Sequence, residues 1–321
     1  MISGLPFYLA DVFTDELFGG NQLAVFPAAS LLETSAMQAI ARELNLSETV
    51  FVFPPDDPGH TRKLRIFTPG AELPFAGHPT VGTAFVLASI GAVRLQGRST
   101  SIVFEEGIGP VPVRIEADDG RPTYCGFTAA SLPELGPPPP PVEDIAAVLS
   151  LRVDEIRTDD LAPRGASCGV PYLYIPLRDV DALRRARLEP GVWSRAFSHS
   201  WAPQLYPFAE QERQGENIRA RMFAPAFGIP EDPATGSAAA ALAGYLTAAL
   251  TPATGTLRWT VDQGIEMGRP SRMNVECDRS GGRIVAVRVG GRSVMVAEAN
   301  LAVVPGAPSV QILADPRTMH S

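Results

Sequence analysis

The chain has 321 residues, 45% of them hydrophobic, so it can bury the cores of about two domains. A net charge of -8 and a pI near 5.1, with no block of Lys and Arg, exclude a basic nucleic-acid-binding surface. Cys125, Cys168 and Cys277 are isolated, and no His or Cys pair has metal-ligand spacing, so neither a disulfide framework nor a zinc site is expected.

The N-terminus lacks a basic stretch followed by an apolar core and reads as a first strand rather than a signal peptide. Residues 7–13 are β-like, and Gly19-Gly20-Asn21 is a turn before a strand at 23–26. Residues 35–44 have helical spacing, with Met37, Ile40, Ala41 and Leu44 on one face. Strands are expected at 49–53 and 63–67. A segment dense in Pro and Gly runs from Phe67 to Pro79, and the apolar run 81–93 follows it. Residues 102–115 hold two strands broken at Gly107 and Gly109, and 123–127 adds another.

Pro133 and the unbroken run 137–141 cannot be helix or inner strand, and they favour extended polyproline II. This places a linker at 133–141 between domains at 1–132 and 142–310, the last strand being free to return to the first domain. Beyond it, helices are expected at 142–149 and 180–187. Strands are expected at 172–176, 201–208, 218–223, 256–261, 272–277, 283–289 and 293–304. The apolar runs 81–93 and 236–250 are shorter than the 18 or so residues of a membrane span, so both read as buried helices.

The punctuated segment recurs. Pro79-Thr-Val-Gly82-Thr83-Ala84 in the first half resembles Pro233-Ala-Thr-Gly236-Ser237-Ala238 in the second, with polar His78 and Asp232 before the prolines. Pro suits the first turn of a helix, and a helix start offers free N–H donors and a partial positive charge that suit a carboxylate. Both following helices are apolar on every side, which calls for burial on every side, as in a helix wrapped by strands. Two such units face to face would aim both helix starts into one cleft. Gly-x-x-x-x-Gly-Lys and Gly-x-Gly-x-x-Gly loops are absent. Gly165-Ala-Ser167-Cys-Gly169 fits a nucleophile elbow in letters, but no helix follows it.

Taken together, DVFTDELFGGNQLAVFP, ARELNLSETVFVFPP, LRIFTPGAELPFAGHPTVGTAFVL, GVPYLYIPL, MFAPAFGIPEDPATGSAAAALAGYL and QGIEMGRPSRM resemble the PhzF-like (phenazine biosynthesis-like) isomerases, relatives of diaminopimelate epimerase in fold. The resemblance implies an α/β (α+β) fold of two pseudo-symmetric domains, each a curled sheet around a central apolar helix, with the site between them. It implies Glu48 as acid/base, His78 and Asp232 as further catalytic residues, and Gly77, Gly236 and Ser237 as binders of a substrate carboxylate. The Gln263-Gly264 turn would be part of the wall. It further implies a homodimer acting without cofactor or metal on a small-molecule carboxylate; the sparse cysteines point to a reduced, cytoplasmic setting, and the charge and short apolar runs to no nucleic-acid or membrane partner. Racemases of this fold use two thiols. No Cys lies in either motif here, which favours one carboxyl that lifts a proton and returns it elsewhere. A Glu beside the apolar strand 49–53 is placed to be desolvated and raised in pKa. A two-base epimerase or lyase, or a non-catalytic small-molecule binder, are the competing readings. Gln22 stands where the family commonly has Pro, a change expected to alter a loop near the cleft.

Overall fold

The computed structural model describes residues 4–211, 216–248 and 254–302. The ends of the expected helix 236–250 and strand 293–304, the end of the second domain at 310, and His320 lie outside them.

The first half runs β1 (Gly4–Val12), β2 (Asn21–Phe26), α1 (Thr34–Leu44), β3 (Glu48–Phe53), β4 (Arg62–Phe67) and β5 (Glu72–Leu73). It continues with α2 (Gly77–Ser89), β6 (Ser99–Glu106), β7 (Gly109–Asp118) and β8 (Arg121–Thr128). The second half opens with β9 (Glu134–Leu135), α3 (Val142–Val148), β10 (Arg164–Ser167), β11 (Pro171–Pro176), α4 (Val180–Arg185) and α5 (Pro190–Ala196). Then come β12 (Gln204–Glu210), β13 (Asn217–Ala220), α6 (Gly236–Ala248), β14 (Gly255–Gln263), β15 (Ser271–Ser280), β16 (Arg283–Gly291) and β17 (Ser293–Ala302).

The strand pairing shows the internal symmetry. In the first half β1, β2, β3, β4, β6, β7 and β8 are joined antiparallel, parallel, antiparallel, parallel, antiparallel, antiparallel. In the second, β10, β11, β12, β13, β14, β15 and β16 follow the same alternation. The halves join where β8 meets β16. Each half also receives a strand from beyond the other's end: β9, after β8, pairs with β10, and β17, after β16, pairs with β1.

Inside each curled sheet lies one helix. Residues 77–88 of α2 are all buried, as are nearly all of 236–247 in α6. A sheet can close tightly round α6 because six of its thirteen residues are Ala, the strongest helix former, and two are Gly. Around α2, Gly82 admits Val12 and Leu23 side chains within 2.6 Å of where a Cβ would stand. The outer faces are covered separately. Helix α1 buries Ala36, Met37, Ile40 and Ala41 and stops at Asn45, which takes the left-handed conformation suited to a helix C-terminus. It covers Phe7, Phe26, Phe51 and Phe67: Phe7–Phe26 and Phe26–Phe51 stack at 5.0 and 4.9 Å, and Phe67 meets Phe51 edge to face at 5.6 Å. Helices α3, α4 and α5 cover Leu173, Ile175 and Leu205 on the other half.

The sequence repeat proves to be out of register with this symmetry. Helix α2 starts at Gly77, so Pro79 is its third residue, whereas Pro233 lies before α6, which starts at Gly236. The equivalent pairs are therefore Gly77 with Gly236 and His78 with Ser237, not Gly82 with Gly236 and His78 with Asp232. Identical letters at a helix start and in the loop before one produced the false alignment.

The Gly165–Gly169 motif spans the hairpin between β10 and β11, where Gly169 Nα donates to Ser167 Oγ (3.0 Å), so it forms no nucleophile elbow. Among the described residues no helix is long and apolar enough to cross a membrane.

Candidate functional site

The N-termini of α2 and α6 meet head to head. A Cβ on Gly77 would stand 2.9 Å from Gly236 Cα and from Ser237 N, so only glycine allows this approach. Neither helix has an acidic residue in its first turn, and the residue before α2, Ala76, gives no side-chain cap. Two sets of helix-start donors therefore open onto the same space.

That space is a cavity of about 500 Å³. Glu48, His78, Asp232, Gly77, Gly236 and Ser237 all line it, although they are drawn from β3, α2, the loop before α6 and α6 itself. The rest of the wall is largely apolar, with Phe75, Val170, Trp201, Met222, Phe227 and Ile229. Another cavity, of about 440 Å³, lies between residues 13–16 and β15, and none of the six lines it.

Glu48 opens β3 and is 9% exposed. Its Oε2 lies 3.5 Å from His78 Nε2, and both atoms are buried without a hydrogen-bond partner. Burial pushes the Glu48 carboxyl up to about 8, the Asp232 charge adding to the rise and Ser47 opposing it. Burial pulls the His78 imidazole down to about 3, against a backbone contact with Gln22. Burial also raises Asp232, to about 6, opposed by hydrogen bonds from Thr235 and Asn21. These shifts favour a protonated Glu48 and a neutral His78, while Asp232, raised less, keeps its charge more readily than Glu48.

Each Asp232 oxygen has a partner. Its Oδ1 accepts from Asn21 Nδ2 (2.8 Å), and its Oδ2 accepts from the Thr235 hydroxyl. Glu48 Oε2, by contrast, is free to take or give a proton.

Sequence reasoning missed the residues that hold these groups. Asn21, at the start of β2, also donates to Ala234 O (3.0 Å), lies 3.2 Å from His78 Nδ1, and accepts from Ser47 Oγ (2.9 Å). It thus joins His78 of the first half to Asp232 of the second. Tyr172 OH shares a hydrogen bond with Ser237 Oγ at 2.7 Å. Gln263 does not line the cavity. It stands behind it, donating to Asp232 O (2.7 Å) and Thr235 Oγ1 (3.1 Å) and accepting from Tyr206 OH (2.9 Å). Gly264 next to it has φ +75°, and a Cβ there would strike Arg269 O at 2.4 Å. Two arginines pin the loops. Arg269 bonds Asp11 Oδ1 (2.6 Å) and the carbonyls of Gly19 and Gly20, just before Asn21. Arg221 grips Glu231 through two 2.8 Å bonds, just before Asp232. Gln22 lies within β2 rather than a loop; its side chain is exposed and does not line the cavity.

A pseudo-symmetric pair of sheets wrapped round buried helices, with both helix starts at one cavity, defines the epimerase-like fold. A proline racemase from Agrobacterium radiobacter shares it, with a TM-score of 0.64 and 13% identity over 94% of each chain. So does a PhzF-family phenazine biosynthesis protein from Bacillus anthracis, at a TM-score of 0.84 and 22% identity, over 94% of this chain and 100% of that one. The profile of the phenazine biosynthesis-like proteins (PhzC-PhzF) matches residues 10–299, so the chain belongs to the PhzF-like family of isomerases. An uncharacterized isomerase of Mesorhizobium japonicum is 42% identical over 92% of this chain and 98% of its own. The trans-2,3-dihydro-3-hydroxyanthranilate isomerase of Pseudomonas aeruginosa is 36% identical over 91% of this chain and 97% of its own.

Proposed function

We propose that this isomerase moves a proton between two carbons of a small carboxylate-bearing substrate, without a cofactor, using Glu48 as its single acid/base. The observation that carries the reading is the state of Glu48. Its Oε2 is buried and unpartnered in a cavity where two helix starts, neither with an acidic residue in its first turn, can hold a carboxylate. With the substrate carboxylate on the Gly77, Gly236 and Ser237 side, Glu48 removes a proton from one carbon of a conjugated system. It then returns that proton to another carbon while the double bonds shift by one position. One C–H bond breaks and one forms, so the step is redox-neutral. His78 and Asp232 orient the substrate and hold the charge balance. Each Asp232 oxygen already holds a hydrogen bond while Glu48 Oε2 holds none, which favours Glu48 over Asp232 as the acid/base.

By analogy with the Pseudomonas aeruginosa relative, the compound to test is trans-2,3-dihydro-3-hydroxyanthranilate. Proton NMR should show isomerisation by the wild type, and Glu48→Gln should lose roughly a hundredfold or more in kcat, the usual weight of a general acid/base. Because the free enzyme must first ionise Glu48, kcat/KM should rise with pH through about 8. Equal rates in wild type and Glu48→Gln would sink the role given to Glu48. No turnover by either folded protein would remove this substrate.

A further inference from the structure

The symmetry of the strands gives Glu48 a counterpart. Glu48 is the first residue of β3, reached from β2 through α1, and it pairs in parallel with Leu23, whose side chain presses on α2 at Gly82. Gln204 is the first residue of β12, reached from β11 through α4 and α5. It pairs in parallel with Tyr172, whose hydroxyl meets Ser237 in the first turn of α6. Side chains at paired positions of neighbouring strands share a face. Glu48 thus faces α2 as Gln204 faces α6, and both line the same cavity. The fold relates a carboxylic acid in one half to its uncharged isostere in the other.

Gln204 is 1% exposed, and its Oε1 is buried without a hydrogen-bond partner. An amide oxygen left in that state is unfavourable until a donor reaches it. The only other buried unpartnered polar side-chain atoms in residues lining the cavity, among the described residues, are Glu48 Oε2, His78 Nε2 and Ser200 Oγ. No Lys or Arg lines it, so nothing there matches a second anionic group.

We propose that Gln204 determines substrate specificity: its Oε1 accepts a hydrogen bond from an amino or hydroxyl group that the substrate carries beside its carboxylate. The inference rests on the reading of this cavity as a carboxylate-binding isomerase site. It narrows the substrate to a monocarboxylate with a flat apolar body, to suit Trp201, Met222 and Phe227, and at least one hydrogen-bond donor. A dicarboxylate or a phosphorylated acid does not fit.

The test is calorimetric titration of the full-length protein with benzoate, anthranilate and 3-hydroxyanthranilate, using wild type, Gln204→Leu and Gln204→Glu, each checked for cooperative thermal unfolding. Wild type should prefer the donor-bearing acids to benzoate by about tenfold, the weight of one net hydrogen bond. Gln204→Leu should erase that preference while leaving benzoate binding unchanged, and Gln204→Glu, which keeps an acceptor oxygen, should retain it. If the Leu variant does not fold, Gln204→Met repeats the measurement with a side chain of similar length. Equal wild-type affinity for all three acids, or a preference intact in Gln204→Leu, overturns the role of Gln204 and leaves the carboxylate site standing. Wild type that binds none of them, benzoate included, overturns the carboxylate-site reading and this assignment with it.

Discussion

Glu48 and His78 face each other with opposite shifts, and both shifts act on stability. The Glu48 carboxyl is raised from 4.5 to about 8. Below 4.5 it is protonated in folded and unfolded chains alike. Between 4.5 and 8 the unfolded chain releases the proton and the folded one keeps it, so stability falls as pH rises, by up to about 1.4 kcal/mol per pH unit. His78 works from the other side: with its pKa lowered from 6.5 to about 3, stability falls as pH drops through that range. Glu48→Gln removes the first effect and keeps the shape. Its melting temperature relative to wild type should therefore climb steadily from pH 5 to pH 8. A difference that does not change with pH would show that Glu48 is not held protonated. His78→Gln should do the reverse, gaining on wild type as pH falls from 6.5 toward 4, and a flat difference would count against a neutral buried imidazole. Short motifs singled out Glu48, His78, Asp232 and Ser237, which the fold gathers at one cavity. Asn21 and Tyr172 were not legible, because their partners lie 26 to 213 and 65 residues away and only topology joins them; Gln263, expected in the wall, stands behind it instead.

At the scale of elements, the approach of α2 to α6 depends on what Gly77 and Gly236 lack. Neither has a positive φ, so the backbone would accept alanine at both, and any penalty is steric. The Cβ of Gly77→Ala would fall 2.9 Å from Gly236 Cα, and that of Gly236→Ala 3.3 Å from Gly77 Cα. Both neighbours are backbone, which cannot swing away. Gly77→Ala should therefore reduce kcat/KM more than Gly236→Ala, and a ranking in the opposite order would argue against direct helix-to-helix contact. The clamps beside these helices matter in a different way. Arg221 is 4% exposed and bonds Glu231 and the carbonyls of Leu183, Arg184 and Ala186 at the end of α4. Replacing it with Met strands a largely buried carboxylate at a cost of roughly 3–5 kcal/mol, measurable by urea unfolding. A loss under about 1 kcal/mol would place the pair with ordinary surface ion pairs. Apolar composition alone announced α2 and α6 as central helices. The mistaken register of the repeat came from reading both Pro-x-x-Gly runs as helix starts, when one lies inside a helix and the other before one.

The whole molecule is closed by exchange. β17 pairs along the length of β1, and the two-residue β9 caps β10, while β8 and β16 join the halves edge to edge. The proline run between the halves marks a place where regular structure stops, but β9, within the segment 133–141, already belongs to the second half's ladder. A sequence reading sees where the chain bends and not where its strands end up, since pairing partners hundreds of residues apart leave no local trace. The consequence is testable by cutting the chain within residues 137–141. The first fragment alone lacks β16 and β17, so β8 and one edge of β1 are left as unpaired edges, which invite aggregation. Expressed singly, each fragment should be insoluble or fail to unfold cooperatively. Expressed together, they should recover a complex with the wild-type far-UV spectrum, because every missing edge is then supplied. A first fragment that is soluble and melts cooperatively by itself would show that the half folds independently, and that the exchanged strand β17 decorates its edge rather than completing it.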